Sequence, residues 1–109
     1  MSVTELNNEN FKQEVDESKL PVIVDFFANW CNPCNMMKAG FESLSEKYDG
    51  KLKFAKLDVD NAQELAGKYG IASIPCLIVF KNGSSIGRIE GYLPEESLKD
   101  EIDKVLEKN

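Results

Sequence analysis

The segment Trp30-Cys31-Asn32-Pro33-Cys34 lies between two sequence patterns that decide the fold. The run before it, Val-Ile-Val-Asp-Phe-Phe-Ala at 22–28, is apolar at nearly every position, which is typical of a central strand buried on both faces. Apolar residues then recur at helical spacing, at Met37, Phe41, Leu44 and Tyr48. The two patterns predict a buried strand, a turn, and a helix that begins close to the first cysteine.

The two cysteines of this segment are placed for reversible disulfide chemistry. Residues i and i+3 share one face of a helix, at a separation that a disulfide can span. The free N–H groups and the dipole at a helix start favour an anion, which predicts a lowered thiol pKa for Cys31. Pro33 suits a first turn, where a missing N–H costs little. We therefore predict Cys31 as the exposed nucleophile and Cys34, one turn further in and more buried, as the resolving thiol.

Length and composition predict one domain over residues 1–109, because 109 residues are enough for a single core. The net charge of −6 is spread along the chain, which argues against nucleic acid and anionic membranes as partners. There is no apolar run of transmembrane length and no secretory signal pattern, so a cytoplasmic location is expected. In that reducing compartment a cysteine pair is more often catalytic than structural.

Metal binding is disfavoured by the residue types present. A closed zinc site needs four Cys or His ligands, whereas this sequence has three Cys and no His. We expect no metal and no bound organic cofactor, only a redox-active disulfide between Cys31 and Cys34. A structural disulfide, or a metal cluster shared between two subunits, stays open as an alternative.

The remaining sequence predicts alternating strands and helices. The predicted elements are an edge strand at 2–6, a helix at 8–16 capped by Asn7 or Asn8, the helix after the cysteines to about Tyr48, a strand at 52–59, a helix at 62–69 capped by Asp60 or Asn61, a strand at 77–80, a hairpin turn at 81–83, a strand at 84–90 and a last helix from Pro94. Strand–helix alternation predicts a parallel sheet, and the hairpin predicts an antiparallel final strand.

With this motif and order of elements, the sequence resembles the thioredoxin family, which usually reads Trp-Cys-Gly-Pro-Cys, over essentially the whole chain. The resemblance implies an α/β thioredoxin fold with three layers, α/β/α, around a central mixed sheet, and a C-terminal helix. It implies reduction of protein disulfides by dithiol–disulfide exchange. The implied partners are disulfide-containing proteins and a thioredoxin reductase or equivalent electron donor, and a monomer is expected.

Asp25 is an acid inside the apolar run. Burial without a partner raises a carboxyl pKa, and a value near 7 would let the group accept and return a proton. By resemblance to thioredoxins, Asp25 lies beneath Cys34 and accepts its proton; a carboxyl kept for solubility at a strand kink is the alternative. The resemblance also implies that Lys56 reaches toward Asp25 and lowers its pKa, with a solvated surface lysine as the alternative.

The resemblance also assigns the substrate surface. It implies a cis peptide bond before Pro75, beside the cysteine pair. The predicted docking surface for partners consists of Trp30, Asn32, Pro33, Ile74 and Gly91.

Several residues depart from the family pattern. Asn32 and Asn35 stand where Gly and Lys are usual, so the redox potential does not carry over unchanged. Phe27 replaces a second Trp, and Glu90 places a negative charge beside Gly91. Cys76 stands where Thr is usual, and is interpreted either as a small buried residue or as a regulatory thiol beside the reactive pair.

Two other functions stay open at this point. Asn32 keeps an oxidant or isomerase of the same fold in consideration, because residues between the thiols change the redox poise. A non-catalytic binding subunit of another enzyme, with the cysteine pair incidental, is the second.

Overall fold

The strand before the cysteine pair is the centre of a five-stranded sheet with the order β1-β3-β2-β4-β5. The computed structural model describes residues 3–109. The strands are β1 (Val3–Leu6), β2 (Val22–Phe27), β3 (Lys53–Asp58), β4 (Cys76–Lys81) and β5 (Ser84–Glu90). The helices are a π-helical turn (Lys12–Asp16), α1 (Asn32–Lys47), a 3₁₀ turn (Val59–Asn61), α2 (Gln63–Lys68) and α3 (Glu95–Lys108).

The central position of β2 confirms the prediction from its apolar run, since five of its six residues are buried. β3 pairs with β2 and with β1 in parallel, and β4 pairs with β2 and β5 in antiparallel. The sheet is therefore mixed, as the family resemblance implied. β1 is an edge strand, as predicted, while Ser2 lies outside the described residues.

Alternate residues of β2 supply two separate cores. Val22, Val24 and Phe26 pack on one face with residues of the π-helical turn and with partly buried residues of α2 and its surroundings. Ile23 packs on the other face with the apolar stripes of α1 and α3, which include Met37, Phe41, Leu44, Leu98 and Ile102. The two cores confirm the three-layer α/β/α arrangement.

The direction of β4 differs from what strand–helix alternation alone predicts. β4 follows α2 and yet runs antiparallel to β2, with Cys76 opposite Phe26 near the carboxyl end of β2. Residues 59–75 connect β3 to β4, and an extended connection of that length could reach either end of the sheet. The direction of β4 is therefore set by its pairing with β2 and β5 and not by the length of the connection.

Three details of the helix predictions are wrong. The predicted helix at 8–16 is reduced to Lys12–Asp16 and one residue before it, because the side chains of Asn7 and Asn10 each accept a hydrogen bond from the other's backbone N–H, at 2.7 and 2.8 Å. Its N-cap residue is Phe11, so neither Asn7 nor Asn8 caps it. Neither Asp60 nor Asn61 caps α2, since Ala62 occupies that position. The Asp58 carboxylate accepts a hydrogen bond from the Asp60 N–H at 2.9 Å, and so caps the preceding 3₁₀ turn instead.

The hairpin between β4 and β5 is as predicted. Asn82 and Gly83 both have positive φ, at 54° and 79°, which is the backbone of a two-residue turn that matches strand twist.

Among residues 3–109, none of the helices combines the length and the apolar character required to cross a membrane.

Candidate active site

The cysteine pair lies at the start of α1, where the polypeptide leaves the carboxyl end of β2. Cys31 is the N-cap residue, and its Sγ accepts a hydrogen bond from the Cys34 N–H at 3.2 Å. The two residues form a disulfide with their Cα atoms 5.2 Å apart, inside the range that disulfides normally span. The sulfur of Cys31 therefore occupies the position where the N–H groups and dipole of the helix stabilise a thiolate.

Exposure does not distinguish the two cysteines, contrary to prediction. Cys31 is 5% exposed and Cys34 is 4% exposed. Their surroundings differ instead. Cys31 Sγ lies 3.8 Å from the carbonyl oxygen of the half-buried Ile74, whereas Cys34 lines a polar cavity of about 260 Å³ whose walls include exposed residues.

Asp25 lines the same cavity as Cys34. Its side chain is in regular strand register and only 6% exposed, which excludes the alternative of a solvated carboxyl at a strand kink. Its Oδ1 atom has no hydrogen-bond partner. Burial raises the pKa of Asp25 from 3.8 to about 7, and the charge of Lys56 opposes this rise. A carboxyl in this state exchanges protons near neutral pH.

Lys56 pairs with Asp25 across β3 and β2, and lines the cavity. The side chain is half-buried, and its Nζ lies 5.9 Å from the centroid of the Phe27 ring. Lys56 therefore faces Asp25 and is not an ordinary solvated surface lysine. Asn35, which stands where the family often has Lys, donates from its side-chain amide to the Asn29 carbonyl at 3.2 Å.

The peptide bond between Ile74 and Pro75 is cis, as the resemblance implied. The Pro75 carbonyl accepts a hydrogen bond from the Gly91 N–H at 2.9 Å, which holds the end of β5 beside this bond. Gly91 has φ of 89°, a backbone conformation that few other residues adopt. Ile74 and Gly91 are half-buried, and Asn32 and Pro33 are exposed.

Trp30 is 70% exposed, directly before the reactive pair. Its indole Nε1–H donates to Asp60 Oδ2 at 2.9 Å. An exposed ring fixed at one end presents its apolar face to a partner at a low entropic cost. Trp30 and Ile74 both line a groove of about 330 Å³.

Sequence reasoning missed two residues of the site, Asp60 and Glu5, and two exposed apolar residues that lie close to it in the sequence. Met36 and Tyr92 are large apolar side chains with exposed fractions of 62% and 40%. The sequence did carry a signal for Met36, because this apolar residue lies outside the buried helical stripe that includes Met37. Asp60 binds Trp30, and Glu5 of β1 lines the Asp25 cavity; no local pattern pointed to either.

Cys76 is fully buried and belongs to the core that contains Phe26. Cys31 and Cys34 belong to a different cluster, with Ala28 and the partly buried Phe27 and Ile74. Burial also raises the pKa of the Cys76 thiol, which lowers its reactivity. The structure therefore favours the interpretation of Cys76 as a small buried residue.

The described residues 3–109 contain no group of three or more His, Cys, Asp or Glu side chains that could hold a metal ion. A mixed sheet between two helical layers, with a disulfide between Cys31 and Cys34 at the start of a helix, defines the class of dithiol–disulfide exchange proteins.

Sequence comparisons identify the family within this class. The chain matches the thioredoxin family profile over residues 2–104. It is 40% identical to a thioredoxin of Synechocystis sp. over 107 residues, which cover 97% of this chain and 100% of the relative. It is 40% identical to a thioredoxin of Bacillus subtilis over 106 residues, with 97% and 100% covered, and 38% identical to one of Porphyra purpurea over 106 residues, with 97% and 99% covered.

The chain belongs to the thioredoxin family. Thioredoxins are protein-disulfide reductases, and the cysteine pair at disulfide distance gives this chain the groups for that reaction. Its activity is that of a thiol–disulfide oxidoreductase.

Proposed function

We propose that this protein reduces disulfide bonds in other proteins, with Cys31 as the nucleophile and Cys34 as the resolving thiol. The observation that carries the assignment is the different position of the two sulfur atoms. The Cys31 sulfur accepts a hydrogen bond from the Cys34 N–H in the first turn of α1 and lies beside the half-buried Ile74, whereas Cys34 lines the Asp25 cavity.

The reaction balances as a two-electron exchange. The Cys31 thiolate attacks one sulfur of the substrate disulfide, so that a mixed disulfide forms and the first substrate thiolate leaves and takes up a proton. The Cys34 thiol loses its proton and attacks the Cys31 sulfur. The second substrate thiolate is released, and the Cys31–Cys34 disulfide closes.

Asp25 is the proposed acceptor for the Cys34 proton. With a pKa of about 7, its carboxyl is partly ionised near neutral pH and thus able to take up this proton. Lys56, by lowering that pKa, would keep part of the population ionised. Asp25→Asn removes the acceptor and is expected to slow mixed-disulfide resolution without preventing the initial attack by Cys31.

The proposed docking surface for the substrate is apolar and surrounds the cysteine pair. Trp30, Pro33, Ile74 and Gly91 were predicted from the sequence together with Asn32, and the exposed Met36 and Tyr92 enlarge it. We propose that the backbone before the cis Pro75 pairs with an extended segment of the substrate.

The proposed setting is cytoplasmic, with the protein acting as a monomeric single domain over residues 1–109. Thioredoxin reductase or an equivalent donor would return electrons to the disulfide, and disulfide-containing proteins would receive them. Nucleic acid, membranes, metals and organic cofactors have no part in this function.

The test of direction is a redox titration of the Cys31–Cys34 couple in a Cys76→Ser background, followed by Trp30 fluorescence. We expect a midpoint near the potential typical of thioredoxins, about −270 mV. A midpoint at about −180 to −120 mV would instead indicate an oxidant or isomerase. The absence of any reversible two-electron transition would contradict redox function altogether.

Single-cysteine variants test the roles of the two thiols. Cys34→Ser should accumulate a mixed disulfide with a protein substrate, because Cys31 can attack but nothing resolves the product. Cys31→Ser should form no such adduct and serves as the control. Equal trapping by both variants would contradict the assignment of the nucleophile.

A further inference from the structure

Three charged side chains form a row across the parallel part of the sheet. Glu5 of β1 pairs with Lys56 of β3, and Lys56 pairs with Asp25 of β2. Paired residues on adjacent strands are about 4.8 Å apart and point to the same face. All three side chains line the cavity that also contains Cys34. Lys56 thus lies between two carboxylates, one on each side.

The ammonium group of Lys56 is not held by either acid. The ion pairs found among residues 3–109, at N–O distances up to 4 Å, do not include Lys56. Its Nζ lies 5.9 Å from the centroid of the Phe27 ring. The flexible four-carbon stem of lysine allows this group to move toward either neighbour.

The two carboxylates differ in their environment. Asp25 is buried and its Oδ1 has no partner, whereas Glu5 is exposed on an edge strand. A solvated carboxylate attracts an ammonium group without the desolvation that a buried partner requires. Glu5 is therefore an effective competitor for Lys56 even though the attraction of a single exposed pair is weak.

Other charged groups near Asp25 are accounted for. Asp58 of β3 accepts hydrogen bonds from the side chains of Asn29 and Asn61 and from the Asp60 N–H, so its carboxylate is already occupied. From α1, the Cys34 sulfur and the exposed Lys38 line the cavity, and of the two lysines it is Lys56 whose charge lowers the pKa of Asp25.

On the remaining neighbouring strand, the β4 residue paired with Asp25 is the uncharged Leu77. Cys76 precedes Leu77 and packs in the core that contains Phe26. The charge of Asp25 contributes to the raised pKa of the Cys76 thiol, after burial as the main cause. Neither residue places a fixed charge beside the Asp25 carboxyl.

We propose that Glu5 is a positioning residue that competes with Asp25 for the Lys56 ammonium group, and so keeps Asp25 a strong enough base to take the Cys34 proton. The second half of this proposal rests on the proposed role of Asp25. Glu5 itself touches no reacting atom. Its effect passes through Lys56, because two strands of separation, about 10 Å, leave little direct interaction between the carboxylates.

The test is a carbon NMR titration of the Asp25 carboxyl in the oxidised protein. In Glu5→Gln, Lys56 is released toward Asp25, and the pKa of Asp25 should fall by about 0.5 to 1. Glu9→Gln is the matched control, since it removes the same charge from an exposed turn outside the cavity. Lys56→Met should raise the pKa, and adding Glu5→Gln to Lys56→Met should change it no further.

Two results would overturn the inference. One is a pKa in Glu5→Gln that moves no more than in Glu9→Gln. The other is a Glu5→Gln effect that persists undiminished in the Lys56→Met background, which would mean that Glu5 does not act through Lys56.

A kinetic measurement separates this inference from the proposed role of Asp25. The acid limb of the rate of mixed-disulfide resolution should move to lower pH in Glu5→Gln by the same amount as the titration. If Asp25→Asn left resolution unchanged, the assignment of Asp25 as proton acceptor would be wrong. The NMR titration would still report whether Glu5 controls the pKa of Asp25.

Discussion

Both faces of β2 are largely buried, but they differ chemically. Val22, Val24 and Phe26 contribute to an entirely apolar core, whereas the opposite face carries Asp25 between Ile23 and Phe27. The Oδ1 atom of Asp25 lacks a partner, and an unsatisfied buried polar atom costs about 1 to 3 kcal/mol. The face toward Cys34 thus tolerates a cost that the other face avoids, which is the expected signature of a functional group held in a scaffold.

The largest effect is expected from placing an acid on the other face. Val24→Asp should lose more than about 4 kcal/mol of unfolding free energy, because Val24 is fully buried between β3 and β4 in an apolar core. Urea denaturation followed by circular dichroism measures the loss. Val24→Ala, which only removes volume, is the control and should lose about 2 to 3 kcal/mol. Equal losses in the two variants would contradict the difference between the faces.

Removing Asp25 from the face of β2 toward Cys34, here called the functional face, should raise the unfolding free energy at high pH. The folded protein binds the Asp25 proton more tightly than the unfolded chain, so this group's contribution to stability is lost as pH rises from about 4 through about 7. The rise in pKa from 3.8 to about 7 corresponds to about 4 kcal/mol at most.

Asp25→Asn should therefore be about 2 to 4 kcal/mol more stable than the unaltered protein at pH 8, with little or no gain at pH 4. Thermal or urea unfolding at both values of pH measures this difference. A gain independent of pH would show that Asp25 is not the titrating group.

Substitution of Cys76 tests whether the core that contains Val22, Val24 and Phe26 has any redox role. Cys76→Ala should cost about 1 to 2 kcal/mol, because a fully buried sulfur is replaced by a small void. Turnover with a protein disulfide and sensitivity to peroxide should not change. Loss of peroxide sensitivity in this variant would instead make Cys76 a regulatory thiol.

The smallest effect on stability is expected at the exposed rim of the functional face. Asp60→Ala removes the acceptor for the Trp30 indole, and should change the unfolding free energy by about 0.5 kcal/mol or less. The Michaelis constant for a protein substrate should rise about twofold or more while turnover of a small disulfide stays constant. Glu64→Ala, an exposed acid of α2, is the matched control. Identical kinetics of the two variants would contradict a positioning role for Asp60.

Elements with a strong local pattern were predicted from the sequence almost to their ends. The apolar run of β2, the helical stripe of α1 and the Asn-Gly turn before β5 each carry their signal within a few residues. The errors lie where several weak signals compete. At Asn7 and Asn10, side chains bond to backbone and replace the first turns of the expected helix.

The residues of the site also differ in whether a local sequence pattern identifies them. Cys31 and Cys34 were found because their chemistry depends on a spacing within one helix turn. Glu5 and Asp60 were not found, because each reaches the site from a different element and neither belongs to a local motif. Equal burial of the two cysteines was also missed, since Ile74 covers Cys31 from a distant part of the chain.

The order of residues alone thus specifies the strand, the turn, the helix and the reactive pair, because hydrophobic period, turn residues and cysteine spacing are local properties. Assembly of the sheet decides the rest. The reversed direction of β4 is set by its pairing with β2 and β5 in the assembled sheet. The raised pKa of Asp25 and its row with Lys56 and Glu5 depend on strand register and burial, which exist only once distant segments have packed together.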